Sequence, residues 1–406
     1  MENTVLEKYY CEILSYIRKY ENKVSKDNAK EVIDSFKEDW VNSIDYIFNN
    51  NEDLGQKYGE ALVIYSAGVF ELVTLSKDEV KLLSERIKFF DENESVKYKL
   101  GIKTALFGNL ALCWHKIGGE YKRYTLNTLK KHLYYLIAQS SHTSYSPTAY
   151  KFKTCNEHFF QSLESESIGL TSPRYFNDPF DCPILELLNN DEDFSQIIRQ
   201  TYNDCLKISC FSSNIKLPRT DKDTQQLIRE EKQNGAIPEY LNELMWAHYA
   251  DSHKGVCIKY HFPNSITQLA DNQDKVICYF RDVTYSDEDI SQYSNKEAIN
   301  LHDAFFLKGK PWEYENELRL LYFDLEGKDG FHSIDAKNCI EAVYFGLKCS
   351  QKNQDKIIGI LKDKSHITID LQGKQTVSPV KFYKMVIDKQ HFGQVKPKEI
   401  RQNTYK

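Results

Sequence analysis

From the amino terminus to about residue 140, apolar positions recur every three to four residues. "VLEKYYCEILSYIRKY", "YGEALVIYSAGVFELV", "KDEVKLLSERIKFFD" and "LNTLKKHLYYLIAQS" each carry one apolar stripe, as helices packed on a common core require. No proline precedes Pro147, so nothing interrupts that run. "ALFGNLALCWHKIGGEYKRYTLNTLKKHL" reads as two helices joined at a Lys-Ile-Gly-Gly turn and resembles a tetratricopeptide unit, without a tandem copy at fixed period. The stretch "SSHTSYSPTAY" (Ser140 to Tyr150) is polar and turn-prone and marks a boundary.

Beyond it the period shortens. "LKISCFSS", "GVCIKYHF", "KVICYFRDVTYS", "ELRLLYFD" and "IEAVYFG" read as strands, and "PEYLNELMWAHYA" and "SNKEAINLHDAFFLK" as helices between them. The pattern predicts an α+β protein: an all-helical domain over 1–146, a mixed α+β domain over 147–375, and a closing strand with a polar tail over 376–406.

Within the second domain, "KGKPWEYENELRLLYFD" (Lys308 to Asp324) alternates charge with apolar bulk. Read as one extended segment, it projects Glu315, Glu317 and Arg319 from one face, with Trp312, Tyr314, Leu318 and Leu320 opposite. Two aligned carboxylates raise each other's pKa when partly buried, and sites that control charge are built this way. The alternative is a solvated face with one glutamate paired to Arg319.

Three further stretches accompany it. In "SPRYFNDPFDCP", Asn177-Asp178-Pro179 is a tight turn ahead of a helix near Pro183, or a pocket rim presenting Asn177, Asp178 and Asp181. "ISCFSSN" is a strand ending at Ser212 and Ser213. In "LMWAHYADSHKGVCIKYHF", Trp246 and Tyr249 share a helical face directed at the core, and His248 and His253 are spaced poorly for a metal pair.

Composition narrows the class. At 406 residues, 41% apolar and 28% charged, the chain is globular and long enough for two domains. A net charge of -6 gives no general attraction to nucleic acid or membranes. Ten scattered cysteines without a C-x-x-C pair argue against zinc and against a secreted disulfide framework. No apolar run approaches a membrane span and no signal peptide is legible, so a cytoplasmic protein is expected.

Taken in order, "YKF" at 150, "NDPFD" at 177, "CFS" at 210, "MWAHYA" at 245, "WEYENELR" at 312 and "EAVYFG" at 341 resemble an uncharacterised prokaryotic domain family. Its layout is in turn similar to ADP-ribosyltransferase-like folds. That similarity implies NAD as substrate and a catalytic E-x-E glutamate on a late strand. On this analogy Glu317 stabilises the ribosyl cation, Glu315 orients or deprotonates the acceptor, and Ser212 braces the glutamate. Lys151 or Lys153 meets the pyrophosphate, and Tyr249 or Trp246 stacks on nicotinamide. Asn177, Asp178, His248 and Arg319 complete the cofactor-binding set, with no metal implied.

The acceptor, protein or nucleic acid, is open, and the helical domain would bind a protein partner in a toxin or antiviral effector. Two alternatives stand. One is a magnesium-dependent nuclease with Asp178 or Asp181 beside Glu317 and Arg319 in the usual lysine's place. The other is a non-catalytic sensor or scaffold.

Overall fold

A computed structural model describes residues 2–43, 47, 51–93, 100–140, 148–178, 181–182, 192–213, 239–262, 275–287, 305–369, 374–390 and 394–400. The layout is α+β. The chain divides into two compact units: Met1–Ser140, Asn189–Tyr202 and Asp271–Asp274 form one, and Ser141–Leu188, Asn203–Ala270 and Lys275–Lys406 the other.

The first unit is helical. Its long helices are Glu2–Tyr20, Glu52–Glu71, Lys77–Glu92, Leu100–Ile117 and Lys122–Ser140. Their starts follow local chemistry: the Asn51 side chain accepts from the Leu54 amide at 3.0 Å, and Ser76 and Glu79 form a reciprocal capping box. The apolar stripes meet in one core holding Ile13, Val32, Trp40, Leu62, Ile87 and Trp114. Gly118 and Gly119, at φ 70° and 59°, make the turn between the last two helices, a left-handed path that glycine adopts without steric cost. Among the described residues no helix is long and apolar enough to cross a membrane.

The second unit is built on a mixed sheet. Its strands are β1 (Thr148–Lys153), β2 (Ser167–Thr171), β3 (Leu206–Ser212), β4 (Val256–His261), β5 (Val276–Asp282), β8 (Glu317–Asp324), β9 (Phe331–Asp335), β10 (Ile340–Phe345), β13 (Lys381–Ile387) and β14 (Val395–Glu399). Two small pairs stand apart: parallel β6 (Thr284–Ser286) with β7 (Leu307–Gly309), and antiparallel β11 (Ser365–Ile369) with β12 (Gln375–Pro379).

β3 is where the large sheet divides. Along one edge it pairs over its length with β8, from Leu206↔Phe323 to Ser212↔Glu317. Its other edge is shared between β1, at Tyr150↔Ser212, and β2, at Thr171↔Ile208. β1 then leads outward through β4, β10 and β13 to β14. Alternation sends Phe211, Leu318 and Leu320 into one core with Val256, Ile258 and Phe345. Tyr150, Phe152, Cys257 and Tyr344 meet Met245 and Trp246 in a second.

The strands expected at 206–213, 255–262, 317–324 and 340–346 are present, and 275–286 is divided between β5 and β6. The segment Lys308 to Asp324 is not one extended piece. Lys310–Glu315 is a 3-10 turn with Pro311 near its start, Asn316 is left-handed at φ 44°, and the strand begins only at Glu317. Proline presets a helical φ, and asparagine tolerates the left-handed reversal that ends such a turn. The helix expected over 294–308 falls mostly outside the described residues, and its carboxyl end is β7 rather than helix. The helix expected near Pro183 also lies outside them.

One backbone crossing fixes how β1, β4 and β10 meet. A Cβ on Gly255 would lie 2.1 Å from the Lys153 carbonyl oxygen, and one on Gly346 would lie 2.2 Å from the His253 carbonyl oxygen. Backbone cannot yield as a flexible side chain does. Gly255→Ala and Gly346→Ala are each expected to lose about 2–3 kcal/mol, read as a lower denaturant midpoint at constant slope. Gly169→Ala, on β2 with nothing within 4 Å, should stay within about 0.5 kcal/mol of wild type.

Candidate active site

The start of β8 is held from three sides. The Glu317 amide donates to the Tyr285 hydroxyl at 2.8 Å, the Val283 amide donates to the Glu317 carbonyl at 2.9 Å, and the Ser213 amide donates to the Asn316 carbonyl at 2.8 Å. Tyr285 on β6 pairs in register with Lys308 on β7, so the small sheet delivers a phenol and an ammonium to the same spot.

There a closed set of charges forms. Lys308 Nζ lies 2.6 Å from Glu315 Oε2, 3.1 Å from Glu317 Oε2 and 3.5 Å from Asp181 Oδ2. Arg319 Nε donates to Glu317 Oε1 at 2.8 Å and its Nη2 to Asp181 Oδ1 at 2.6 Å. Arg319 Nη1 donates to the Phe305 carbonyl at 2.6 Å and meets Cys182 Sγ at 3.1 Å. The rings of Phe176 and Trp312 lie 5.4 Å from Arg319 and 5.1 Å from Lys308. Lys308, Glu315, Glu317 and Arg319 are 7, 4, 5 and 0% exposed, so each charge depends on its partners rather than on water.

Among the described residues, exposure rises on the side of Tyr249, Tyr314 and His248. The Tyr249 hydroxyl donates to Glu315 Oε1, and His248 Nδ1 pairs with the Tyr314 hydroxyl at 2.8 Å. Asn242, the cap of the helix Glu243–Tyr249, donates to the Tyr314 carbonyl at 2.6 Å. Tyr249 and Tyr314 are half-buried and His248 is exposed, so the path from solvent to Glu315 is lined by phenols and an imidazole.

The two glutamates are driven apart. Burial works to raise the Glu317 carboxyl, but the charge and hydrogen bonds of Arg319, with Lys308 and Cys210, outweigh it and hold it at about 2. At Glu315 burial dominates, the bonds from Lys308 and Tyr249 offset it only in part, and the carboxyl stays above its usual range. Burial opposes the Lys308 charge, yet Glu317, Asp181 and Glu315 together keep the ammonium more firmly protonated than a free lysine. Burial and then Glu315 raise the Tyr249 phenol, which remains a donor. One carboxylate is locked in the ionised form while its neighbour takes a proton more readily, the separation that acid–base chemistry needs.

The other residues singled out from the sequence are distributed around this set. Ser212 faces Glu317 in strand register and is buried, but no hydrogen bond joins the two side chains; Cys210 is the β3 group that helps hold the Glu317 carboxyl low. Lys151 turns to Ser209 Oγ at 2.6 Å and the Cys210 carbonyl at 2.8 Å, and burial with the nearby Lys153 charge lowers it to about 7. Lys153, lowered by burial, lies at the far end of β1.

Trp246 is fully buried. Its Nε1 donates to the Tyr240 carbonyl at 2.8 Å, and its ring meets Phe152 edge-on and stacks on His253, so it packs the core rather than offering a free face. Asn177 is exposed, and the Asp181 amide donates to the Asp178 carbonyl at 3.1 Å, closing a turn that sets Asp181 against Arg319.

Lys308, Tyr285, Cys182 and Cys210 are the partners that sequence patterning did not assign to this cluster, whereas Asp181 was set beside Glu317 and Arg319 only in the nuclease alternative. Lys308 carried a weak signal, as one of two lysines, with Lys310, within ten residues before the E-x-E pair.

Residues 245–320 match the family model described as "Protein of unknown function (DUF2971)". The matched segment holds Tyr249, Lys308, Glu315, Glu317 and Arg319, so every charge of the cluster except Asp181 lies within it. No curated protein and no solved structure matches the chain.

Glu317→Gln leaves Arg319 buried beside a neutral amide and is expected to cost about 3–5 kcal/mol by denaturant titration. The same contact gives an acid limb. Because the folded carboxyl lies below its ordinary value, its stabilisation is complete above pH 4.5 and drains as pH falls toward about 2. That limb should be missing from the variant's stability profile.

Proposed function

We propose that the second unit cleaves the nicotinamide–ribose bond of NAD and passes the ADP-ribosyl group to water or to an acceptor. One observation carries this reading: the E-x-E pair at the head of β8, with Glu317 held ionised and Glu315 drawn upward, opening toward solvent through Tyr249.

Departure of nicotinamide leaves positive charge on the ribose. A fixed anion that cannot be protonated near neutrality stabilises that charge without reorganising, which is the role of Glu317. Glu315, of higher proton affinity and next to the solvent-facing phenols, takes the proton from the incoming nucleophile. Arg319, Asp181 and Lys308 hold these carboxylates in place. The helical unit, in this reading, recognises a protein partner that releases or restrains the activity, as an effector of toxin or antiviral type would need.

A magnesium nuclease fits the cluster less well. The position a divalent ion would take among Asp181, Glu315 and Glu317 is filled by the Lys308 ammonium. Among the described residues no three His, Cys, Asp or Glu side chains are arranged to hold a metal ion.

Incubation of the full chain with NAD should release nicotinamide, followed chromatographically, at a rate insensitive to chelators. Glu315→Gln should lower that rate at least about 100-fold while the protein keeps its fold. The rate should climb with pH through the raised Glu315 titration. Tyr249→Phe removes a bond that favours the carboxylate, so it should displace that limb to higher pH. Magnesium-dependent DNA cleavage without nicotinamide release would replace this reading with the nuclease.

A further inference from the structure

On the same unit, independent of the E-x-E pair, the large sheet leaves one edge without the protection that its others carry. Among the described residues three strands end that sheet: β5, β14 and β9. β5 is buried from Ile277 to Phe280. β14 carries Lys396, Pro397 and Lys398, and lysines around a proline keep an open edge from pairing with another chain. β9 (Phe331–Asp335) has neither, and each of its residues except Ile334 is exposed.

β2 occupies one edge of β9, from Ser167↔Asp335 to Thr171↔Phe331. On the other edge no described strand meets its backbone donors and acceptors. Phe331 stands at the head of that strand, 81% exposed, with its ring stacked at 5.5 Å on Tyr175, itself 47% exposed. An open ladder beside an aromatic anchor is how a sheet takes on a further strand: the main chain supplies the bonds and the side chains the preference.

The charges that flank β9 say which strand fits. Asp329 and Lys337 stand two places beyond its two ends. Laid antiparallel on a second copy with Ser333 opposite Ser333, β9 brings Asp329 of each chain to the same end of the ladder as Lys337 of the other. The same register sets His332 against Ile334 and Phe331 against Asp335, with no like charges opposed. A slip that centres the pair on His332 would instead oppose Asp329 to Asp335 on both sides of the axis. Lys337 can turn outward, since its side chain is 67% exposed and its contact with Asp335 is a long 3.8 Å. Arg174 holds Asp329 at the edge.

We propose that two copies of this chain join through β9, antiparallel and about a two-fold axis at Ser333, so that their large sheets continue edge to edge. A two-fold contact is met by the same patch from both sides, which the placing of Asp329 and Lys337 at opposite ends of β9 satisfies. The contact is a short ladder with an aromatic anchor and an ion pair at each end, so it forms and dissociates with concentration rather than being permanent.

The test is sedimentation velocity on the full chain at low salt over about 1–200 µM, a span that brackets contacts of this size. The mass should rise from one copy toward two as concentration increases. Phe331→Lys removes the anchor and charges the edge, and should weaken association at least about tenfold. Lys337→Asp or Asp329→Lys alone places like charges at both ends of the ladder and should weaken it about fivefold or more. An equimolar mixture of those two variants should recover wild-type association, because each chain then offers the charge that the other lacks. That recovery separates lost complementarity from a lost fold. A chain that stays a single copy throughout the range, with or without an extended peptide captured at β9, overturns the proposal. So does a dimer that all three variants leave intact, or a mixture no more associated than its components.

Discussion

Three carboxylates buried together can persist only if cations are buried with them. Desolvating one ionised carboxylate costs several kcal/mol even after relaxation, and the cost is recovered only through close, well-directed partners. Lys308 and Arg319 meet that demand from different elements. Arg319 belongs to β8 itself and grips Glu317 through two nitrogens while reaching Asp181. Lys308 arrives from β7 and bridges Glu315 to Glu317. The division suits the two cations: the planar guanidinium fixes orientation through paired bonds, and the ammonium serves as a point charge at a position defined by distance alone. Take either away and a buried carboxylate loses its counter-charge, so the 3-10 turn that carries Glu315, β7 and the Asp178–Asp181 turn are coupled through these ion pairs.

The sheet places the cluster where it is. Because β3 gives one edge to β8 and divides the other between β1 and β2, its Ser212 end is a junction of three strands. Side chains leaving that junction on the face of Cys210, Glu317 and Arg319 are walled by sheet on one side and by β6 and β7 on another. Alternation then does two tasks at once in β8: Leu318 and Leu320 are 1% and 0% exposed in an apolar core, and Glu317 and Arg319, which alternate with them, are buried among charges. A strand buried on both faces usually reads as continuously apolar; this one reads as amphipathic because its second interior is ionic.

Much of this was legible from the sequence, for physical reasons that differ by element. The helical stripes and the strands at 206–213, 255–262, 317–324 and 340–346 are written in periodicity, which burial on one face enforces. Glu315, Glu317 and Arg319 were legible as a group, but by the wrong geometry. The extended reading put them on one face by alternation, whereas Glu315 reaches its place through a 3-10 turn and a left-handed asparagine. Solvent and burial could not be told apart either, since a glutamate–arginine alternation has the same pattern on a wet face and in a paired interior. Lys308, from the strand before the 3-10 turn, and Asp181, 138 residues from Arg319, supply the difference, and no local period encodes either pairing. Trp246 was legible as core from its helical position, and its enclosure by Phe152 and His253 bears that reading out.

The turn after Tyr249 ties these features together. Asp251, Ser252 and His253 are three consecutive non-glycine residues with φ of 46°, 49° and 71°. Left-handed backbone costs such residues on the order of 1 kcal/mol each, so the turn is held by what surrounds it. The His253 amide bonds to the Trp246 carbonyl at 3.2 Å and the Gly255 amide to the Ala250 carbonyl at 2.8 Å, while the His253 carbonyl accepts from Lys348 at 3.0 Å. These bonds stop the helix immediately after Tyr249 and return the chain into β4 within a few residues. That end point keeps the Tyr249 phenol, on the last residue of the helix, at Glu315 Oε1. A looser turn would free it from the carboxylate. The strain is thus the local cost of delivering the Tyr249 hydroxyl to one oxygen of Glu315.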